Sequence, residues 1–153
     1  MTIRDIPSNV TFSVLTTTLQ GVAAQTELDS SSVDMNDYDR VVFMTLFGVI
    51  TAGSVVAVKL QHSTDDNVTD SYGTSNDVTG SSVAVADTQS NKIAYIELIR
   101  PQKRYVRVAI TRTTQNAVIG GILALRYHKM GSLPVTQPTA SVVATSKIVK
   151  YPA

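Results

Sequence analysis

Apolar and polar residues alternate with a period of two through the middle and C-terminal parts of the chain, and no window shows the three-to-four spacing of an amphipathic helix. Successive side chains of a β-strand point to opposite faces, so this alternation marks strands with one face buried. From Val55 to His62, one face carries Val56, Val58 and Leu60 and the other carries Val55, Ala57, Lys59 and Gln61. From Tyr105 to Thr111, the apolar face is Val106, Val108 and Ile110, opposite Tyr105, Arg107 and Thr111. Val41 to Ile50 and Ala117 to Tyr127 are more continuously apolar, the pattern of central strands covered on both faces. Gly48, Gly120 and Gly121 inside them predict a bulge, a bend or a close backbone approach.

Further strand candidates are Val10 to Leu19, Val22 to Ala24, Ser82 to Ala86 and Lys92 to Ile99, while Met35 to Arg40 offers one helical turn at most. The short connection Thr51 to Ser54 predicts a hairpin joining Val41 to Ile50 with Val55 to Ser63. Thr64 to Gly80, dense in Asp, Asn, Ser, Thr and Gly, reads as a long surface loop. Short strands separated by turn signals predict an all-β fold, an antiparallel β-sandwich or jelly roll. The expected organisation is a β-sandwich domain over residues 1–131, with 1–9 as an N-terminal extension, and an extended C-terminal arm over 132–153. Gly131, Pro134, Pro138 and Pro152 disfavour regular central strands there. Val142, Val143, Ile148, Val149 and Tyr151 supply apolar anchors that a solvated linker does not need; a frayed tail is the alternative.

The net charge of +1 over 153 residues conceals a split. Residues 1–97 hold four basic and all twelve acidic residues, a net of −8, whereas residues 98–153 hold nine basic residues and no acid, a net of +9. Such segregation predicts attraction between unlike surfaces, within a subunit, between copies, or toward an acidic partner. The candidate interface is the basic run Arg100, Lys103, Arg104, Tyr105, Arg107 and Arg112. In the arm, Lys147, Ile148, Val149, Lys150 and Tyr151 join it. Cations interleaved with an aromatic also suit single-stranded nucleic acid. The sequence pI of about 8.0 is below that of a dedicated nucleic-acid module, so a solvated or intersubunit face is the expectation.

Little else carries chemistry. The chain has no cysteine, which excludes disulfides, thiolate metal sites and a cysteine nucleophile. His62 and His128 end strand patterns and lie in no catalytic motif. The run Asp65-Asp66-Asn67-Val68-Thr69-Asp70 suggests calcium by composition but misses the spacing and final Glu of an EF-hand loop, so a solvated loop is expected. Gly73 to Ser82 lacks the Lys of a phosphate-binding loop. No catalytic, metal or cofactor residues are therefore expected. No apolar run nears the roughly 20 residues of a membrane span, and Met1 to Val10 lacks the apolar run of a secretory signal.

Several segments follow one another in a fixed order: Tyr38-Asp39-Arg40-Val41-Val42-Phe43, Ile50 to Ser54, and Val58-Lys59-Leu60-Gln61. Asp77-Val78-Thr79-Gly80, Arg100-Pro101-Gln102-Lys103-Arg104-Tyr105-Val106-Arg107 and Ile122 to Tyr127 before a proline-containing tail continue the series. In this order they resemble the small head decoration, or cement, proteins of tailed bacteriophages. The resemblance covers about residues 37–138. It implies a compact β-domain that binds the outside of a capsid lattice and reinforces it without catalysis. It also implies the major capsid protein and copies of the chain itself, as dimer or trimer, as partners, and a location on the virion exterior. Neither a membrane nor nucleic acid is an expected partner.

Overall fold

A computed structural model of the chain describes residues 6–130, 135–143 and 146. Among these residues one α-helical turn, α1 (Ile6–Asn9), leads into ten strands: β1 (Val10–Val14), β2 (Ala23–Ala24), β3 (Leu28–Asp29), β4 (Val33–Asp34), β5 (Tyr38–Ile50), β6 (Val55–Ser63), β7 (Val83–Val85), β8 (Ile93–Ile99), β9 (Tyr105–Thr113) and β10 (Ala117–Lys129), with 3-10 turns at Thr74–Asn76 and Asp87–Gln89. They form two antiparallel sheets. Sheet A has the order β1-β10-β5-β8 with β2 also on β10, and sheet B has the order β3-β9-β6-β7 with β4 also on β9. The fold is a β-sandwich, as the alternation predicts.

The core is built from the inward parity of both sheets. Sheet A contributes Val41, Phe43 and Phe47 of β5 and Ile119 and Ile122 of β10; sheet B contributes Val58 and Leu60 of β6 and Val106, Val108 and Ile110 of β9. Each fully buried side chain of this kind contributes about 1.5–3 kcal/mol by leaving water. The glycines answer their sequence signal. Register shifts interrupt the β10–β5 ladder between Ala117 and Ile119 and between Ile119 and Gly121. A Cβ on Gly48 would sit 2.9 Å from the Val118 side chain, so this point of the bent ladder admits only glycine.

Two expectations are overturned. Among the described residues Val41 to Ile50 and Ala117 to Tyr127 are covered by a sheet on one face, not both, because sheet A has only sheet B packed against it. Val41 to Ile50 and Val55 to Ser63 do not form a hairpin: β5 lies in sheet A between β10 and β8, and β6 lies in sheet B between β9 and β7. The turn closed by the Ser54 amide on the Thr51 carbonyl carries the chain across the sandwich instead. Both strands bury an apolar parity, and facing each other across the core satisfies both parities at once. A turn signal reports a reversal of direction, not whether the next strand pairs or crosses.

The turn α1 packs on β1 and β10. Residues 135–143 run beside β1. The Val135 amide donates to the Ser8 carbonyl. The Gln137 amide group bridges Pro7 and Val10 carbonyls, its oxygen accepts from the Phe12 amide, and Ser141 Oγ accepts from the Val14 amide.

Candidate functional site

The two outer faces of the sandwich differ in kind. On sheet B, the outward parity of β6 and β9 carries Lys59, Arg107 and Thr111 beside the buried Gln61, and loops bring acids to them. Lys59 pairs with Asp77 at 2.9 Å and Arg107 with Asp29 at 2.9 Å. Arg107 also donates to Gln61 Oε1 and stacks on the Tyr72 ring, its guanidinium carbon 4.3 Å from the ring centroid. Arg104 grips Asp34 with two bonds of 2.9 and 2.7 Å, and this holds the Asp34 carboxyl below the ordinary carboxylate range.

The loop after β6 is organised by its own acids. Asp65 accepts from the Thr69 hydroxyl and from the amides of Thr69, Asp70 and Val68, which together outweigh its desolvation and lower its pKa to about 2. The Lys103 ammonium lies 2.8 Å from Asp70 and also donates to Asn76 Oδ1, and with the Thr64 amide it depresses the Asp70 pKa strongly. A cation from the basic run thus occupies the centre of the acidic loop. Among the described residues no group of three His, Cys, Asp or Glu side chains is placed to hold a metal ion.

The charge split is therefore closed in part within the subunit: of the nine Lys and Arg residues after position 97, Lys103, Arg104 and Arg107 each meet an acid from the first 97 residues. Tyr105 lies beneath the Arg104 guanidinium at 5.0 Å. Arg100, exposed and with a positive φ of 53°, has no ion-pair partner among the described residues. Lys147, Ile148, Val149, Lys150 and Tyr151 lie outside the described residues.

Arg112 is corrected outright: it is a core residue, 0% exposed, and no part of a surface. Its Nε donates to the Thr26 carbonyl at 2.9 Å and its Nη1 to the carbonyls of Ala117 at 2.9 Å and Val22 at 3.3 Å. Burial lowers its pKa. The signal was in the sequence, because Arg112 continues the inward series Val106, Val108, Ile110 at a spacing of two. Arg126 does the reciprocal job from sheet A, donating to the Asp34 carbonyl at 2.7 Å and stacking on Tyr38 at 4.8 Å. One arginine from each sheet reaches across to backbone associated with the other.

The outer face of sheet A is apolar. Its outward residues fall into transverse rows set by the strand register. Val14, Leu123, Met44 and Tyr95 form one row, with Gly121, Leu46 and Ile93 next to it. On the other side come Phe12, Leu125, Val42 and Glu97, then Val10, Tyr127, Arg40 and Ile99. The charged groups keep to one end, where the Tyr127 hydroxyl donates to Glu97 and raises its own pKa. Tyr95 is 70% exposed, Ile93 53% and Ile99 47%. Sheet B covers the inner side only, and no third sheet exists among the described residues.

Among the described residues sheet A also has one open edge. At the other edge, side chains of Gln137 and Ser141 cap the β1 amides. Sheet B ends in strands of two or three residues. By contrast β8 runs for seven residues, pairs with β5 without a register shift, and contains neither Pro nor Lys. A cleft of about 240 Å³ opens beside it, lined in part by Phe47, Val83, Val85, Ala94 and Tyr95.

The histidines are not brought together: His62 lies on β6 of sheet B and His128 on β10 of sheet A, where it contacts Asp39 at 3.2 Å. Among the described residues no helix is long and apolar enough to cross a membrane.

No protein-family model and no curated protein matches this chain. Eight chains of solved structures do match. One comes from the structure of infectious bursal disease virus Gt strain, with a TM-score of 0.42 and 10% identity over 79% of this chain and 30% of that chain. This chain thus spans under a third of that chain's length, and a likeness at this level does not indicate what either binds.

Proposed function

We propose that the protein is a structural virion component that binds the outside of a bacteriophage capsid and reinforces contacts between capsid subunits, without catalysis. The observation that carries this reading is the outer face of sheet A. Monomeric proteins rarely leave so continuous an apolar surface open unless it meets a partner. The major capsid protein and further copies of the chain, as dimers or trimers, are the proposed partners. Moderate contacts repeated over a lattice then act together, so no single one has to be strong. The ordered sequence resemblance to phage decoration proteins supports the same reading.

The state of the basic run disfavours nucleic acid, because Lys103, Arg104 and Arg107 already meet carboxylates of their own subunit. Such pairs would have to open before phosphates could use them.

Electron microscopy of particles with and without the protein tests the proposal. Exterior density lost in its absence, together with lower particle robustness, is the expected result; unchanged density and robustness would sink it. Copy number separates the alternative of a head-tail, tail or fibre-base component, which occupies one axial site where a decoration protein covers the shell.

A further inference from the structure

The open edge of β8 has a definite hydrogen-bonding pattern. The Arg100 amide donates to the Asp39 carbonyl and the Phe47 amide to the Lys92 carbonyl. In an antiparallel ladder, residues that exchange bonds with the neighbour alternate with residues whose groups point away. Since Asp39 opposite Arg100 and Phe47 opposite Lys92 are bonded pairs, the even-numbered residues between them, Ala94, Ile96 and Leu98, also face β5. The amides and carbonyls of Ile93, Tyr95, Glu97 and Ile99 therefore point outward, and no bond is made to them among the described residues.

We infer that β8 pairs antiparallel with β8 of a second copy about a two-fold axis at Ile96, joining the two A sheets into one. The register follows from the outward groups. Placing Ile93 opposite Ile99 of the second copy and Tyr95 opposite its Glu97 lets every outward amide and carbonyl find a partner. It also keeps Ala94, Ile96 and Leu98 on the inner face in both subunits, so the cores abut at the same level. Shifting the register by two residues in one direction sets Glu97 against its own copy, a repulsion between like charges. The same shift in the other direction leaves Ile99 beyond the end of the partner strand.

A second copy is the fitting occupant for three reasons. First, β8 has no bulge, proline or edge lysine and is not short, so of the devices that keep natural edges monomeric it carries only the single charge of Glu97. Second, its sequence Ile-Ala-Tyr-Ile-Glu-Leu-Ile is nearly symmetric in apolar pattern about Ile96, which an isologous contact needs. Third, the opposition of Tyr95 and Glu97 places the acid beside a hydroxyl on the partner strand, while the exposed Ile93 and Ile99 cover each other. Each β8 also brings apolar side chains to the mouth of the cleft beside it. The inference is independent of the virion reading: purified protein dimerises this way whether or not it binds a shell.

Sedimentation over a dilution series, with circular dichroism to confirm folding, tests the pairing. The natural sequence should form a dimer that dissociates on dilution, its Tyr95 and Glu97 amides slowing in hydrogen exchange as the dimer fills. Glu97→Pro removes an outward amide without breaking a bond to β5, and the pair Ile93→Lys with Tyr95→Lys charges the exposed side chains. Both variants should stay folded and monomeric at concentrations where the natural chain is dimeric. Deleting residues 147–153 should leave the dimer intact. A natural chain that stays monomeric at every concentration overturns the inference. So does a dimer that survives in both variants, or one lost on removing 147–153 with no change at the β8 amides.

Discussion

The outer faces of the two sheets were built by opposite rules. Sheet B and the loop before β9 carry three cations outward, each met by an acid from a loop or short strand: Lys59 with Asp77, Arg107 with Asp29, and Arg104 with Asp34. Sheet A carries Phe12, Leu125, Val42, Met44 and Tyr95 outward, half-buried but for the exposed Tyr95, with no third sheet over them among the described residues. A closed polar face gains little from a partner, because docking would strip water from pairs already satisfied. An open apolar face gains from any surface that removes it from water. The proposal that assembly belongs to sheet A and solvent to sheet B rests on this difference.

The largest expected effect lies between the faces, where both depend on the sheets staying together. Arg112→Ala orphans carbonyls of Val22, Thr26 and Ala117 and leaves a cavity, costing about 3–5 kcal/mol in denaturant unfolding. Arg112→Met fills the space but not the bonds, and should recover only part of that loss. Next comes the closure of sheet B: Arg107→Ala removes the bonds to Asp29 and Gln61 and the stack on Tyr72, at a cost of about 1–2 kcal/mol by the same measurement. It should leave particle attachment intact. On sheet A the consequences reverse. Met44→Lys sits among side chains facing outward, so stability should change by less than about 1 kcal/mol, while attachment measured by co-sedimentation with particles is lost. Equal loss of attachment from Arg107→Ala and Met44→Lys would erase the contrast.

The smallest effect is a local one beside sheet B. The Asp65 carboxyl has a pKa lowered to about 2, against an ordinary value near 3.9. A depressed folded pKa gives stability that is complete above the unfolded value and lost as pH falls through the folded one. The loop should hold its shape above about pH 4 and loosen toward pH 2. Amide chemical shifts of Val68, Thr69 and Asp70 read this directly. Shifts already moving between pH 6 and 5 would contradict it.

The longer strands were legible because period-two alternation is a one-dimensional record of a sheet with one wet face; β3 and β4, of two residues each, are too short to show a period. The cover over sheet A did not follow: Val41 to Ile50 and Ala117 to Tyr127 read as strands covered on both faces, and among the described residues sheet B covers only one. Other features were illegible for physical reasons. The turn at Thr51 to Ser54 looks the same whether it closes a hairpin or crosses the sandwich. The partners of Lys103, Arg104 and Arg107 lie 33, 70 and 78 positions away, beyond any local pattern. Arg112 was misplaced because its charge was weighed above its parity.

The most direct test of the central claim compares one position on each outer face of the particle-bound protein. A photo-crosslinking residue at Tyr95 reports on sheet A and one at Lys59 on sheet B. The expected result is covalent products from position 95 and none from position 59. Products from position 59 alone would contradict the assignment of assembly to sheet A.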